Sequence, residues 1–329
     1  MLGSDNWGLL DNWATAKVKT RENKIVWTPC YSKIDLNQIE LDPDSFLKYR
    51  TDAAKRIAAS LGPRPVLAVS GGADSQAMVQ SFVEAGIDFR AATLVFKDNL
   101  NSHDVDYARQ LGLDLEIVEL DVMKFLHHSL WDYADKYQCS SPQFSCHNWF
   151  YEQLIKLGYT GIVCGGFTWI PLTDGRWHWG NTGSRHSWHN FSLVNNFPLH
   201  GNFLASTWQL NFALAACTDP ESFDHNYVDF NQAGELATHL ISETYVNKLR
   251  AFKTFGFNIV PQPNKYTGFE QVKDYFIKAS NDYWVFEKRF RWPIWEKWPE
   301  LHSILDLAPE FIVDLQNLYN KASTARLDT

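Results

Sequence analysis

The sequence predicts a doubly wound α/β fold, in which a parallel sheet is covered by helices on both faces. Three observations predict it. Short, wholly or largely apolar runs recur at Val66–Val69, Ala91–Phe96, Leu115–Leu120 and Gly161–Cys164. Stretches of helical period separate them, and a glycine-rich turn, Ser70-Gly-Gly72, follows the first run directly. Strands that alternate with helices require right-handed crossovers, and those bury a parallel sheet on both sides.

The elements follow in order. Residues 1–45 show no clear element and are read as an N-terminal extension. Phe46 to Leu61 is helix-like until Gly62-Pro-Arg-Pro65 breaks it. Val66 to Val69 is a strand, and from Asp74 to Ala85 the apolar residues Ala77, Met78, Phe82 and Val83 keep helical spacing until Gly86 stops it. After the strand Ala91–Phe96, a helix from about Ser102 to Leu111 opens with Asp104 and Asp106 and ends at Gly112. Leu115 to Leu120 is the third strand. Helices at about Val122–Tyr137 and Cys146–Leu157 lead to the fourth, Gly161–Cys164. Residues 167–212 hold Trp169, Trp177, Trp179, Trp188 and Trp208 among Gly, Asn and His with little period, which reads as a loop-rich insertion. The expected division is therefore 1–45, an α/β domain over 46–220 that carries the insertion, and a mainly helical region over 221–329.

Composition narrows the function. Of 329 residues 45% are hydrophobic and 21% charged, enough for one large domain. Lys plus Arg is 30 against 38 for Asp plus Glu, a formal charge of -8, so no global field draws the chain to phosphate backbones or anionic lipid. No apolar run approaches the roughly 20 residues of a membrane span. The opening residues are acidic where a signal peptide would be basic, and a cytoplasmic protein is expected. Five cysteines without a CxxC pair suit a reducing compartment.

In an open parallel sheet, ligands bind at the carboxyl ends of the strands. Ser70-Gly-Gly-Ala-Asp-Ser75 stands there. Two glycines let the backbone approach an anion, successive N–H groups form a nest, and the following helix aims its positive end at the same point. Ser70 and Ser75 add hydroxyls. Asp74 would repel an anion unless a cation sits between them, which points to Mg²⁺ beside a phosphate. No GxxxxGK[ST] occurs, and no GxGxxG follows a strand.

Ser70 to Ser75 resembles the SGGxDS signature of the PP-loop, or N-type ATP pyrophosphatase, superfamily, whose HUP-type fold is the doubly wound sheet expected here. Within it the runs Thr93–Asp98, His103–Arg109 and Leu111–Val118 look most like the synthetase domain of asparagine synthetases. The resemblance implies an ATP-dependent ligase that adenylates an acceptor and releases pyrophosphate, with ATP and Mg²⁺ as cofactors. It implies Ser70, Gly71, Gly72, Asp74 and Ser75 at the phosphates, with Asp74 on the metal. Leu94, Val95 and Phe96 would meet adenine, and Cys164, Gly165 and Gly166 would border the ribose. The family also brings a cation from its helical C-terminal region onto pyrophosphate, for which Lys265 is the first choice and Lys253 and Arg250 the alternatives.

The chain departs from that family in two places. Its Gly165-Gly166 turn continues without the Asp-Glu pair, and the nearest carboxylate is Asp174. The glutaminase domain is absent, so a nitrogen nucleophile would come from a separate glutaminase. Residues 167–212 are expected to form the pocket of a small-molecule acceptor, with Asp174 and Arg176 touching substrate, although the same tryptophans could close an oligomer interface. Two rivals stand beside the synthetase: a PP-loop enzyme that modifies tRNA or a nucleobase, and a nucleotide-binding module without catalysis. Cys139, Cys146, His147 and Cys164 lack metal-site spacing, and the cysteines read as separate buried or helix-borne thiols; Cys146 and His147, opening a helix beside a sheet edge, can face the site, where a helix N-terminus would lower the Cys146 pKa. His178, His186, His189 and His200 have no rigid spacing. Lys288-Arg-Phe-Arg291 is a weak nucleic-acid signal beside Glu287 and Glu296.

Overall fold

Alternate residues of the first core strand face opposite ways. Val66 packs into one hydrophobic cluster and Leu67 into another, and Ile162 and Val163 do the same on the strand beside them; all four are 0% exposed. A strand buried on both faces is what parallel sheets require. The structure, a computed structural model, describes residues 14–21, 24–31, 36–139, 142–166, 169–171, 177–179, 183–217, 246, 248–262, 272 and 312–313.

The chain opens with a hairpin, β1 (Ala14–Arg21) against β2 (Lys24–Tyr31). Helix α1 (Pro43–Ser60) follows, then β3 (Pro65–Ala68), α2 (Ala73–Glu84), β4 (Arg90–Phe96), α3 (Ser102–Gln110) and β5 (Leu115–Leu120). Next come α4 (Val122–His128), α5 (Leu130–Tyr137), α6 (Pro142–Lys156) and β6 (Gly161–Cys164). Short strands β7 (Trp169–Pro171) and β8 (Trp177–Trp179) precede α7 (Gly183–Asn195), β9 (Leu199–His200) and α8 (Trp208–Ala216), and β10 (Ile312–Val313) pairs with β8. A helix also occupies 248–254. The main sheet runs β5-β4-β3-β6-β9 with every pair parallel, which is order 3-2-1-4-5 counted along the chain. The doubly wound α/β sheet is therefore present, and its order reverses between β3 and β6.

One face of the sheet is covered by α1, α2, α8 and the 248–254 helix, whose Phe46, Phe82, Phe212 and Phe252 share a cluster. The other is covered by α4 to α7, with Phe125, Leu130, Phe150 and Phe191 at its centre. Helix α1 starts earlier than its apolar period suggests, because the Asp42 carboxylate accepts from Ser45 N at 3.0 Å and Pro43 fits the first turn. The helix expected over 122–137 breaks at Ser129 into α4 and α5.

The largest difference lies in 167–212. That segment supplies α7, α8 and the fifth sheet strand β9, where a loop-rich insertion was expected. Helix α7 hid from a hydrophobic pattern because it buries polar residues. Ser187 and Asn190 are 0% and 2% exposed; Ser187 Oγ accepts from Asn148 Nδ2 at 2.7 Å, and Asn190 Nδ2 donates to Gln138 Oε1 at 2.8 Å. Among the described residues no helix is long and apolar enough to cross a membrane.

Candidate nucleotide site

The turn Ser70–Ser75 lies at the carboxyl end of β3, at the point where the strand order reverses. Val69 N still donates to Ala92 O at 2.8 Å, so the chain leaves the sheet only at Ser70. Gly71 takes φ +82°, and a Cβ there would lie 2.4 Å from Asp104 O and 2.6 Å from Ala108 N of α3. Only glycine fits. Gly72 is the N-cap of α2 and makes no side-chain capping bond, so the first N–H groups of the helix stay aimed at the turn. Ser75 Oγ donates to Gly72 O at 2.9 Å and is 3.4 Å from Ser70 Oγ. Ser75 is buried and braces the turn, whereas Ser70 is exposed.

The second wall comes from β6. A Cβ on Gly165 would stand 2.6 Å from the Asp74 carbonyl carbon and 2.7 Å from Ser75 N. The turn after β6 thus seats on the first turn of α2 by backbone contact. A Cβ on Gly166 would stand 2.1 Å from Asn202 Oδ1, so the loop after β9 closes on the same place. Three strand ends and the start of α3 therefore converge on the Ser70–Ser75 turn.

Asp74 is met by a cation, and the cation is Lys248. The ammonium Nζ lies 2.6 Å from each carboxylate oxygen and donates to Oδ2; the side chains are 26% and 14% exposed. The same ammonium is 5.5 Å from the Phe252 ring centre. A basic residue from the C-terminal region does reach the loop, but it is not one of the three expected. Lys253 and Arg250 are exposed, and Lys265 lies outside the described residues. No local pattern separates Lys248 from its neighbours; packing of the 248–262 segment on α2 selects it. Arg50 anchors that segment, bonding Glu84 at 2.6 and 2.8 Å and Phe255 O at 2.9 Å.

The expected adenine strand is half available. Leu94 and Val95 are half-buried, but Phe96 is 3% exposed and belongs to the core. The Asn101 amide already bridges this strand, accepting from Phe96 N at 2.8 Å and donating to Leu94 O at 2.9 Å. Cys164 is also a core residue, 5% exposed and bonded to Tyr151 Oη at 3.2 Å; burial pushes its thiol up to about 12. Cys146 corrects the expectation of a lowered thiol. Helix α6 starts at Pro142, Cys146 is fully buried, and desolvation drives its pKa up. Burial likewise raises Cys139 to about 11 and lowers His147 to about 4. Asp174 and Arg176 lie outside the described residues, and among those described no three His, Cys, Asp or Glu side chains converge as metal ligands do.

No family model matches this chain, and no curated protein sequence does. Among solved structures it is similar to the U34-tRNA thiolase NcsA from Methanococcus maripaludis, solved with its 4Fe-4S cluster. The identity is 11%, over 83% of this chain and 84% of that one, with a TM-score of 0.32. A likeness that loose bears on neither activity nor substrate. The sheet order, the loop and its close backbone contacts stand on their own: a doubly wound α/β sheet with a glycine turn and an uncapped helix N-terminus at its switch point.

Proposed function

We propose that the protein binds ATP at Ser70–Ser75, cleaves it between the α and β phosphates and adenylates an acceptor, as PP-loop enzymes do. The observation that carries the reading is the junction of an uncapped helix N-terminus, a glycine at φ +82° and a lysine delivered from 174 residues along the chain. In this reading the Gly72 to Asp74 N–H groups hold pyrophosphate oxygens. Lys248 moves its ammonium from Asp74 to the departing charge. The residues fit a magnesium ion held mainly by the nucleotide, because Mg²⁺ is satisfied by one carboxylate plus phosphates and water, and Asp74 is that carboxylate. Such an ion would neutralise charge on the departing pyrophosphate.

The acceptor admits two readings. The runs from Thr93 to Val118 support an asparagine synthetase-like ligase acting on a small carboxylate or amide, with ammonia from a separate glutaminase. An RNA acceptor is favoured by a different observation. The paired strands β1 and β2 carry Lys17, Lys19, Arg21 and Lys24 and no acidic residue. A basic strip in a chain of net charge -8 suits a polyanionic partner. The test measures AMP and pyrophosphate from labelled ATP with a tRNA pool and, separately, with amino acids plus ammonia. ADP release, or no ATP turnover with either pool, would sink the adenylation reading.

A further inference from the structure

We infer that Gln76 is a positioning residue that fixes the polarity of the phosphate cradle and makes it depend on the docked 256–262 segment. The inference rests on the reading of Ser70–Ser75 as the ATP loop.

Gln76 is 4% exposed, in the first turn of α2. Its Nε2 donates to Gly71 O at 2.8 Å and to Val260 O at 3.0 Å, and its Oε1 accepts from Val260 N at 2.8 Å. Both amide protons are thereby used. In a trans peptide the carbonyl of one residue and the N–H of the next point opposite ways. Gln76 draws the Gly71 carbonyl inward against α2, so the Gly72 N–H is aimed away from it, toward the cradle side, where it donates to the exposed Ser70 Oγ at a long 3.4 Å. Glycine tolerates either orientation of that peptide at small cost. The other orientation would present a carbonyl oxygen to the phosphates, so something must choose, and the Gln76 amide does.

The same amide is half of a ladder. Gln80 Oε1 accepts from Asn258 N at 2.8 Å, and Gln80 Nε2 donates to Gly256 O at 3.4 Å. Four residues along a helix advance about 6 Å. Two residues along an extended chain advance about 6.6 Å. The two glutamines of α2 therefore match alternate residues of the segment, Asn258 and Val260, running antiparallel to the helix. Gln80 fastens the segment without touching the loop; Gln76 fastens it and the loop together.

That difference makes the test. Gln76→Leu, Gln76→Glu and Gln80→Leu are made in the full chain. Mg-ATP affinity is measured by calorimetry, and amide exchange of Ser70–Ala73 by mass spectrometry without nucleotide. Both leucine variants lose segment bonds and should lose similar stability. Only the Gln76 variants should bind Mg-ATP roughly tenfold or more weakly and exchange the loop amides faster. Gln76→Glu keeps the acceptor for Val260 N but sets a carboxylate against Gly71 O, and should weaken ATP as much as leucine does, so it decides the matter if leucine fails to fold. Equal effects of Gln76 and Gln80 variants on loop exchange would overturn the inference. Wild-type protein that binds no ATP while the exchange pattern holds would overturn the proposed function instead.

Discussion

Lys248→Met separates two roles that one ammonium could have. Its Nζ is 2.6 Å from both oxygens of Asp74, and the pair is largely buried at 14% and 26% exposure. Exposed pairs contribute up to about 1 kcal/mol, and breaking a fully buried pair costs about 3–5 kcal/mol. The single substitution should therefore cost about 1–3 kcal/mol, since it leaves a mostly buried carboxylate without its cation. Lys248→Met with Asp74→Asn removes both charges and should recover most of that stability, which urea unfolding of the four proteins measures as a double-mutant cycle. Turnover should not recover. Losing one preorganised donor lowers rate by about 100-fold to 1,000-fold, and in the double variant the metal ligand is gone as well, so pyrophosphate release stays at least that low. If Lys248→Met alone released pyrophosphate at the wild-type rate, the lysine would be only the partner of Asp74, and the proposed role at the phosphates would be wrong.

Gly165→Ala should destabilise by about 1–3 kcal/mol and weaken ATP, because the new methyl would meet the Asp74 backbone at 2.6 Å, where no flexible side chain can give way; wild-type melting and binding would refute that packing. The pH dependence has a definite sign. Burial first, then the Arg56 charge, lowers His200 to about 4 from 6.5, so the unfolded chain binds the extra proton between those values. His200 burial is without penalty above the unfolded pKa, and stability is lost as pH falls from 6.5 toward 4, with a slope of up to about 1.4 kcal/mol per pH unit. His200→Gln should reduce that slope without abolishing it, because His147, also lowered to about 4, keeps its own share, and an unchanged slope would refute the assignment. Cys139, Cys146, Cys164 and Cys217 are all buried. At pH 8 iodoacetamide should leave these four unlabelled in native protein and modify them in urea; rapid native labelling of Cys146 would restore it as a reactive thiol.

What was legible in the sequence follows from where the information lies. Val66, Leu67, Ile162 and Val163 are apolar because both faces of their strands are covered, and that pattern needs no partner to be read. The glycines of Ser70–Ser75 carry their reason locally too. Leu199–His200 is a strand only because β6 lies beside it, and two residues hold no period. The hairpin alternation of Ala16, Lys17, Val18 and Lys19 is a local strand signal, but four residues of mixed polarity are too short a run to fix a strand by period alone. Asp42-Pro43 was a local signal for the start of α1 that the apolar pattern outweighed. Lys248 was beyond reach: its place depends on Gln76, Gln80 and Arg50, all far away in sequence, which hold the segment that carries it.

The Asn101 bridge has a consequence for how a base is admitted. Its amide offers one acceptor and one donor side by side to Phe96 N and Leu94 O, the same complementary pair that the amino and ring-nitrogen edge of adenine presents. Under the proposed function, a purine that reads these two backbone groups would enter by exchange with the Asn101 amide, trading like for like, so the contact would add selection by pattern at little net enthalpy. The grip must come from the phosphate end. In the proposed ATP site the strand edge would serve as a turnstile for nucleobases, with Asn101 setting how freely it turns.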